Sequence, residues 1–144
     1  MDPDSVQAML RKDRAEWEAL VDTLQAHPEE ALHDPDFPVW TSRDAYTHLA
    51  CWIEHSTATL QTYLVGHIPP PLEGTDDEIN ARWQQQFRDL SLTEAREWAY
   101  RAFEQRLRAI ENVPPERWDQ VLDLIARADG AEHYANHRRY IAVE

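Results

Sequence analysis

The chain has 144 residues, with 14 Lys and Arg against 27 Asp and Glu, for a formal charge of −13. That length suits one domain, and that charge repels phosphate backbones, because affinity for nucleic acid rests on Lys and Arg neutralising phosphates. With 3 Gly, 1 Cys and a single lysine, Lys12, counting all but excludes glycine-rich phosphate loops, disulfide frameworks, cysteine-ligated zinc and lysine Schiff-base chemistry.

What remains is the chemistry of histidines and carboxylates. No run of apolar residues is long enough to span a bilayer, and the N-terminus lacks a basic region followed by an apolar stretch; the expectation is a soluble, cytoplasmic protein with neither nucleic-acid nor membrane partners. The lone Cys51 fits a reducing compartment.

The pattern reads as helices punctuated by proline, with almost no alternation of the β kind. Val6, Met9, Leu10, Trp17, Leu20, Val21 and Leu24 recur at three- and four-residue steps, which places one apolar stripe on a helix from about Pro3 to Ala26. The helix ends before His27-Pro28, since the residue preceding a proline is pushed out of helical geometry. Pro28 to Trp40, with three prolines among acidic residues, reads as a loop.

A second helix opens at Thr41, where Thr41-x-x-Asp44 approximates a capping box. Ala45, Leu49, Trp52, Leu60 and Leu64 supply its apolar face, and Gly66 stops it. After Pro69-Pro70-Pro71, Thr75-x-x-Glu78 caps a segment through roughly Phe87, and Ser91-x-x-Glu94 caps a longer run ending ahead of Pro114-Pro115. These two pieces form either one kinked helix or two. Its stripe holds Ala95, Trp98, Ala102, Phe103, Leu107 and Ile110. The stretch Trp118 to Ile125 has no assigned structure, and Asp129-x-x-Glu132 caps a last helix carrying Ala131, Tyr134, Tyr140 and Ile141. Four principal amphipathic helices in residues 1–144 argue for a single all-α domain, a four-helix bundle, whose sites are built from side chains projecting inward from facing helices.

Of the seven histidines, His27, His33 and His67 fall in loops and read as solvated. His133 and His137 stand four apart on the last helix, so both imidazoles leave one face, about 6 Å apart at Cβ, a spacing that lets two adjacent turns share one metal ion. His48 lies in the apolar stripe of the second helix, where an imidazole needs a partner; taken alone it fits a core histidine bonded to a carbonyl or a Tyr. Depth along the helices links the three. His48 is roughly 10 Å into its helix, and His133 and His137 are roughly 6 and 12 Å into theirs. If those two helices run in the same direction, as alternating up and down connections would make them, all three rings come to one level. Three neutral imidazoles with an open position suit Zn, Ni or Fe(II).

His55, a further 10 Å or so along, reads as core or as an outer partner of the site. Asp44 reads as a cap, with an outer acceptor for a histidine or a fourth ligand as the alternatives.

The runs Trp40-Thr41-Ser42-Arg43-Asp44-Ala45-Tyr46-Thr47-His48-Leu49 and His133-Tyr134-Ala135-Asn136-His137-Arg138-Arg139-Tyr140-Ile141 resemble the DinB-like superfamily of small four-helix-bundle metalloproteins. Its pattern is a Trp-Ser/Thr-x-x-Asp/Glu-x-x-x-His-Leu helix start followed by a late His-x-x-x-His helix. The resemblance implies His48, His133 and His137 as ligands of one divalent metal. Asp77-Glu78-Ile79-Asn80-Ala81-Arg82-Trp83 and the His-Tyr-x-x-His version of the last motif look closest to a subgroup that includes self-resistance hydrolases acting on a reactive natural product. The superfamily also contains transferases and isomerases that use a low-molecular-weight thiol.

A metal with three imidazoles and an open position can bring the pKa of a bound water or thiol toward neutrality, or polarise a carbonyl. The expectation is therefore a metal-dependent hydrolase or thiol transferase acting on a small molecule, with a noncatalytic binding or sequestering protein as the alternative. Trp40, Trp52 and Trp83 would wall a pocket above the metal, or else pack in the core; Trp17, Trp98 and Trp118 read as core or dimer contacts. Asp44 and Glu54 are general-base candidates by proximity in sequence alone. Arg138 and Arg139 would attract a carboxylate-bearing thiol or form surface ion pairs. A homodimer through an apolar helix face is compatible with the pattern.

Overall fold

A computed structural model describes residues 1–27 and 40–141 of the chain. The regular elements of these residues are all helices, with no β-strand: α1 spans Pro3–Gln25, α2 Ser42–Leu64, α3 Asp76–Gln86, α4 Leu92–Glu111, α5 Gln120–Arg127 and α6 Ala131–Ile141, with a 3-10 turn at Pro115–Arg117. Residues 28–39 of the expected first loop, His33 among them, and the side chain of Tyr140 lie outside the described set. No described helix is long and apolar enough to cross a membrane.

The expected caps at Thr41, Thr75 and Ser91 form in full. Each side chain accepts from the backbone N–H three residues on, and Asp44, Glu78 and Glu94 bond back, so two orphan donors are satisfied at each helix start. The stop at Gly66 also forms. Gly66 has φ 83°, its N–H bonds Tyr63 O and the next N–H, of His67, bonds Thr62 O, a paired closure that needs a left-handed residue. The two pieces around Ser91 are separate helices. The unassigned stretch is α5, capped by Asp119, whose carboxylate accepts from Leu122 N at 2.7 Å.

One connected apolar cluster draws on α1, α2, α4, α5 and α6. The α1 stripe is buried as its spacing requires, and Leu20, Leu24, Ile53, Phe103 and Ile110 are essentially sealed from water. Trp17 is core, its ring 4.6 Å from Phe103 and 5.3 Å from Tyr134. Trp98 is half-buried and donates to Glu54 at 2.6 Å, which places Glu54 on the α2–α4 face, outside the cavity lined by the histidines.

Paired contacts give the helix directions. Asp13 meets Arg106 while Gln25 meets Tyr100, so α1 and α4 are antiparallel. Asp13 meets Ala131 while Glu16 meets Arg138, so α1 and α6 are parallel. His48 meets His137 while Ser56 meets Asp129, so α2 and α6 are antiparallel. The expected alternation, with α2 and the last helix running the same way, is therefore wrong. Instead α1 and α6 run one way and α2 and α4 the other, since Glu54 meets Trp98 and Gln61 shares a groove with Asn112. The long passage through α3 carries the chain back and lets α2 and α4 lie parallel.

The start of α6 also differs from expectation. Asp129 sits in the left-handed region at φ 56° and its carboxylate accepts from Ser56 Oγ. The helix opens instead with Tyr134 N bonded to Gly130 O and Ala131 N bonded to Asp13 Oδ1 at 2.9 Å. A carboxylate from α1 thus caps α6. Asp13 is itself paired with Arg106 at 2.7 Å, and Arg106 also donates to the carbonyls of Ala126 and Ala128. Both charged residues are 2% exposed, so the ion pair is sealed in the core and ties α1 and α4 to the turn that launches α6. Gly130 leaves no room for a side chain here, since a Cβ would meet Arg106 Nη2 at 2.9 Å and Asp13 Oδ1 at 3.0 Å.

Candidate metal centre

The second turn of α2 and the exposed side of α6 bring three imidazoles together. His48 is 6% exposed, and His133 and His137 are half-buried. The ring of His48 stacks on that of His133 at 5.8 Å and meets that of His137 edge-on at 5.3 Å. One ligand atom from each lies within 4.8 Å of the others, and among the described residues this is the group with metal-ligating geometry. The three rings meet although the helices oppose each other, because α6 is short: His137 is four residues from its last residue, Ile141, and His48 six residues from Ser42, so both are close to the same end.

The donor set fits a divalent ion. His133 Nε2 and His137 Nε2 are 3.1 Å apart, near the roughly 3.3 Å that separates two nitrogens bound at about 2.0–2.1 Å in a tetrahedral site. Burial and the neighbouring rings of His137 and His133 hold the pKa of His48 well below its ordinary value, so His48 is neutral, as a metal ligand must be.

That depression has a consequence for metal-free protein. An unfolded His48 takes up its proton near pH 6.5, whereas the folded one does so only at lower pH. The unfolded state therefore binds more protons below about pH 6.5, and stability falls as pH falls through that window. Thermal melts between pH 7.5 and 5.5 should show this slope, and His48→Leu should flatten it; equal slopes would assign the effect to other groups.

Around the trio lies a cavity of about 380 Å³, walled by Trp52, Asn80, Asp76, Asp77 and Asp129. Of the expected surrounding residues, Trp52 lines it. Trp83 meets Trp52 edge-on, ring centroids 5.0 Å apart, and His55 meets Trp52 edge-on at 5.9 Å. Trp40 is buried with its ring edge-on to His48 at 5.2 Å. Asp44 is engaged as a cap, accepting from Thr41 N at 3.0 Å and from Arg43, and does not line the cavity. Arg138 pairs with Glu16 at 3.1 Å and Arg139 is exposed.

Sequence reasoning passed over two residues. Asn80, 8% exposed on α3, has its Oδ1 3.2 Å from His48 Nδ1 and accepts from Trp52 Nε1 at 2.7 Å. Its only signal in the sequence is an Asn inside a helix, where that residue type is poorly suited without a partner. Asp129 looked like a cap, yet one oxygen takes the Ser56 hydrogen bond and the other lies 3.9 Å from His133 Nδ1. Burial pushes its carboxyl pKa up, partly offset by Ser56, Arg106 and His55. A larger groove, about 650 Å³ between the end of α2 and α5, gathers no such ligand group.

Comparison of the chain with protein-family models, curated proteins and solved structures gave no match.

Proposed function

We propose that the protein is a small metal-dependent enzyme of the DinB-like four-helix-bundle kind, in which His48, His133 and His137 hold one divalent ion and the adjoining cavity receives a small molecule. The observation that carries this reading is the convergence of the three imidazoles beside an open cavity. When bound there, zinc, nickel or iron(II) would supply a Lewis acid able to activate a water or thiol at neutral pH.

The surrounding side chains bear on the substrate. Trp52 offers a flat apolar wall, while Asp76, Asp77 and Asp129 line the same cavity and oppose the entry of an anion. A carboxylate-bearing thiol is the poorer fit, and Arg138, already paired with Glu16, does not offset that field. Hydrolysis of a neutral or cationic substrate is thus favoured over thiol transfer. Asp129, with Oδ1 directed toward His133, is the carboxylate best placed to accept a proton from a molecule in the cavity.

The test is turnover by zinc-, nickel- or iron-loaded protein of a panel of small electrophiles with hydrolysable bonds, with and without added thiol, followed by mass spectrometry. Metal-dependent product that disappears in His133→Ala is expected. Binding without product under every condition would overturn the enzymatic reading in favour of sequestration.

A further inference from the structure

Two donors converge on a single carbonyl oxygen beside the imidazole trio. The Trp52 indole has a hydrogen to give and nothing to accept with, so the Asn80 atom 2.7 Å from it must be the amide oxygen; the usual ambiguity between amide oxygen and nitrogen is removed by chemistry. The ring nitrogen His48 Nδ1 lies 3.2 Å from that same oxygen. An oxygen only accepts, so Nδ1 carries the hydrogen, and a neutral imidazole with Nδ1 protonated has its lone pair on Nε2.

From this we infer that Asn80, locked by Trp52, is a positioning residue that selects the Nδ1–H tautomer of His48 and presents Nε2 to the ion, an inference that rests on the metal reading above. The build of α3 agrees with such a role. Of its residues only Ile79 and Asn80 are buried, the first anchoring the helix and the second reaching the imidazole. Outer partners of this kind orient metal-bound histidines, and their loss lowers metal affinity by about 10- to 100-fold.

The test has one readout that needs no variant. Nitrogen-15 shifts of the His48 ring in metal-free protein at pH 7.5 should show Nδ1 protonated and Nε2 bare; the opposite tautomer would overturn the inference. Zinc titrations of the wild type, Asn80→Leu, Asn80→Asp and Trp52→Phe then follow. Asn80→Leu should weaken binding about 10- to 100-fold and mix the tautomers. Asn80→Asp, which keeps an acceptor, should bind at least as tightly as the wild type, and Trp52→Phe should weaken binding less than Asn80→Leu. Wild-type affinity in Asn80→Leu, or an equal loss in Asn80→Asp, would overturn it. Should wild-type protein bind no metal, the metal reading fails, while the ring shifts still decide the Asn80–His48 contact.

Discussion

Arg106→Ala is expected to lower the unfolding free energy by about 3–5 kcal/mol, the cost of leaving a buried charge without its partner. In a chain of this size that moves the thermal midpoint down by on the order of 10 °C. The cause lies in the sealed contact with Asp13, at 2.7 Å and 2% exposure on both sides. Removing the guanidinium strands the carboxylate and also frees the carbonyls of Ala126 and Ala128. Asp13→Ala should cost a similar amount, since it strands Arg106 and uncaps Ala131 N. The double variant should lose less than the two single losses added together, because neither charge is then left alone. Urea titration of the three variants checks this, and strict additivity would mean that the two side chains act independently. Zinc affinity should fall as well, because the same pair fixes where α6 begins, two residues before His133.

His48→Ala, His133→Ala and His137→Ala should each weaken zinc binding beyond the roughly 10- to 100-fold that loss of an outer partner costs, because each removes a donor atom. The helical circular dichroism should persist, since the apolar cluster does not depend on these rings. His55→Ala and His67→Ala serve as controls. His55 packs against Trp52 without belonging to the trio, and His67 lies beyond the far end of α2. Unchanged zinc affinity in the controls with loss in the trio is the expected outcome, and equal loss in all five variants would point to a global effect.

The helices were legible in the sequence because their signals are local. Apolar spacing marked the buried faces of α1, α2 and α4, and Ser/Thr-x-x-Asp/Glu marked three helix starts that the structure forms as full capping boxes. Helix α5 escaped because eight residues give little periodicity to read. The cap at Asp129 was misread because the local pattern was outweighed by tertiary contacts: Asp13 from α1 supplies the cap, and Asp129 turns toward Ser56 and His133.

Helix direction was equally beyond local reading. Depth counting placed the three histidines together while assuming the wrong direction for α6, and it succeeded because the pair His133 and His137 straddles the middle of a helix of only 11 residues, so reversing that helix moves the pair little along its axis. Asn80 and the acidic wall of the cavity depend on how α3 folds back over α2, a relation that no spacing within α3 encodes.

The most direct measurement is a zinc titration of metal-free, untagged protein, read by calorimetry for stoichiometry and by imidazole nitrogen-15 resonances for identity. One ion per chain at saturation is expected, with large shifts confined to His48, His133 and His137 of the seven histidines. Absence of stoichiometric binding, or binding that persists when all three are replaced by alanine, would contradict a shared metal centre.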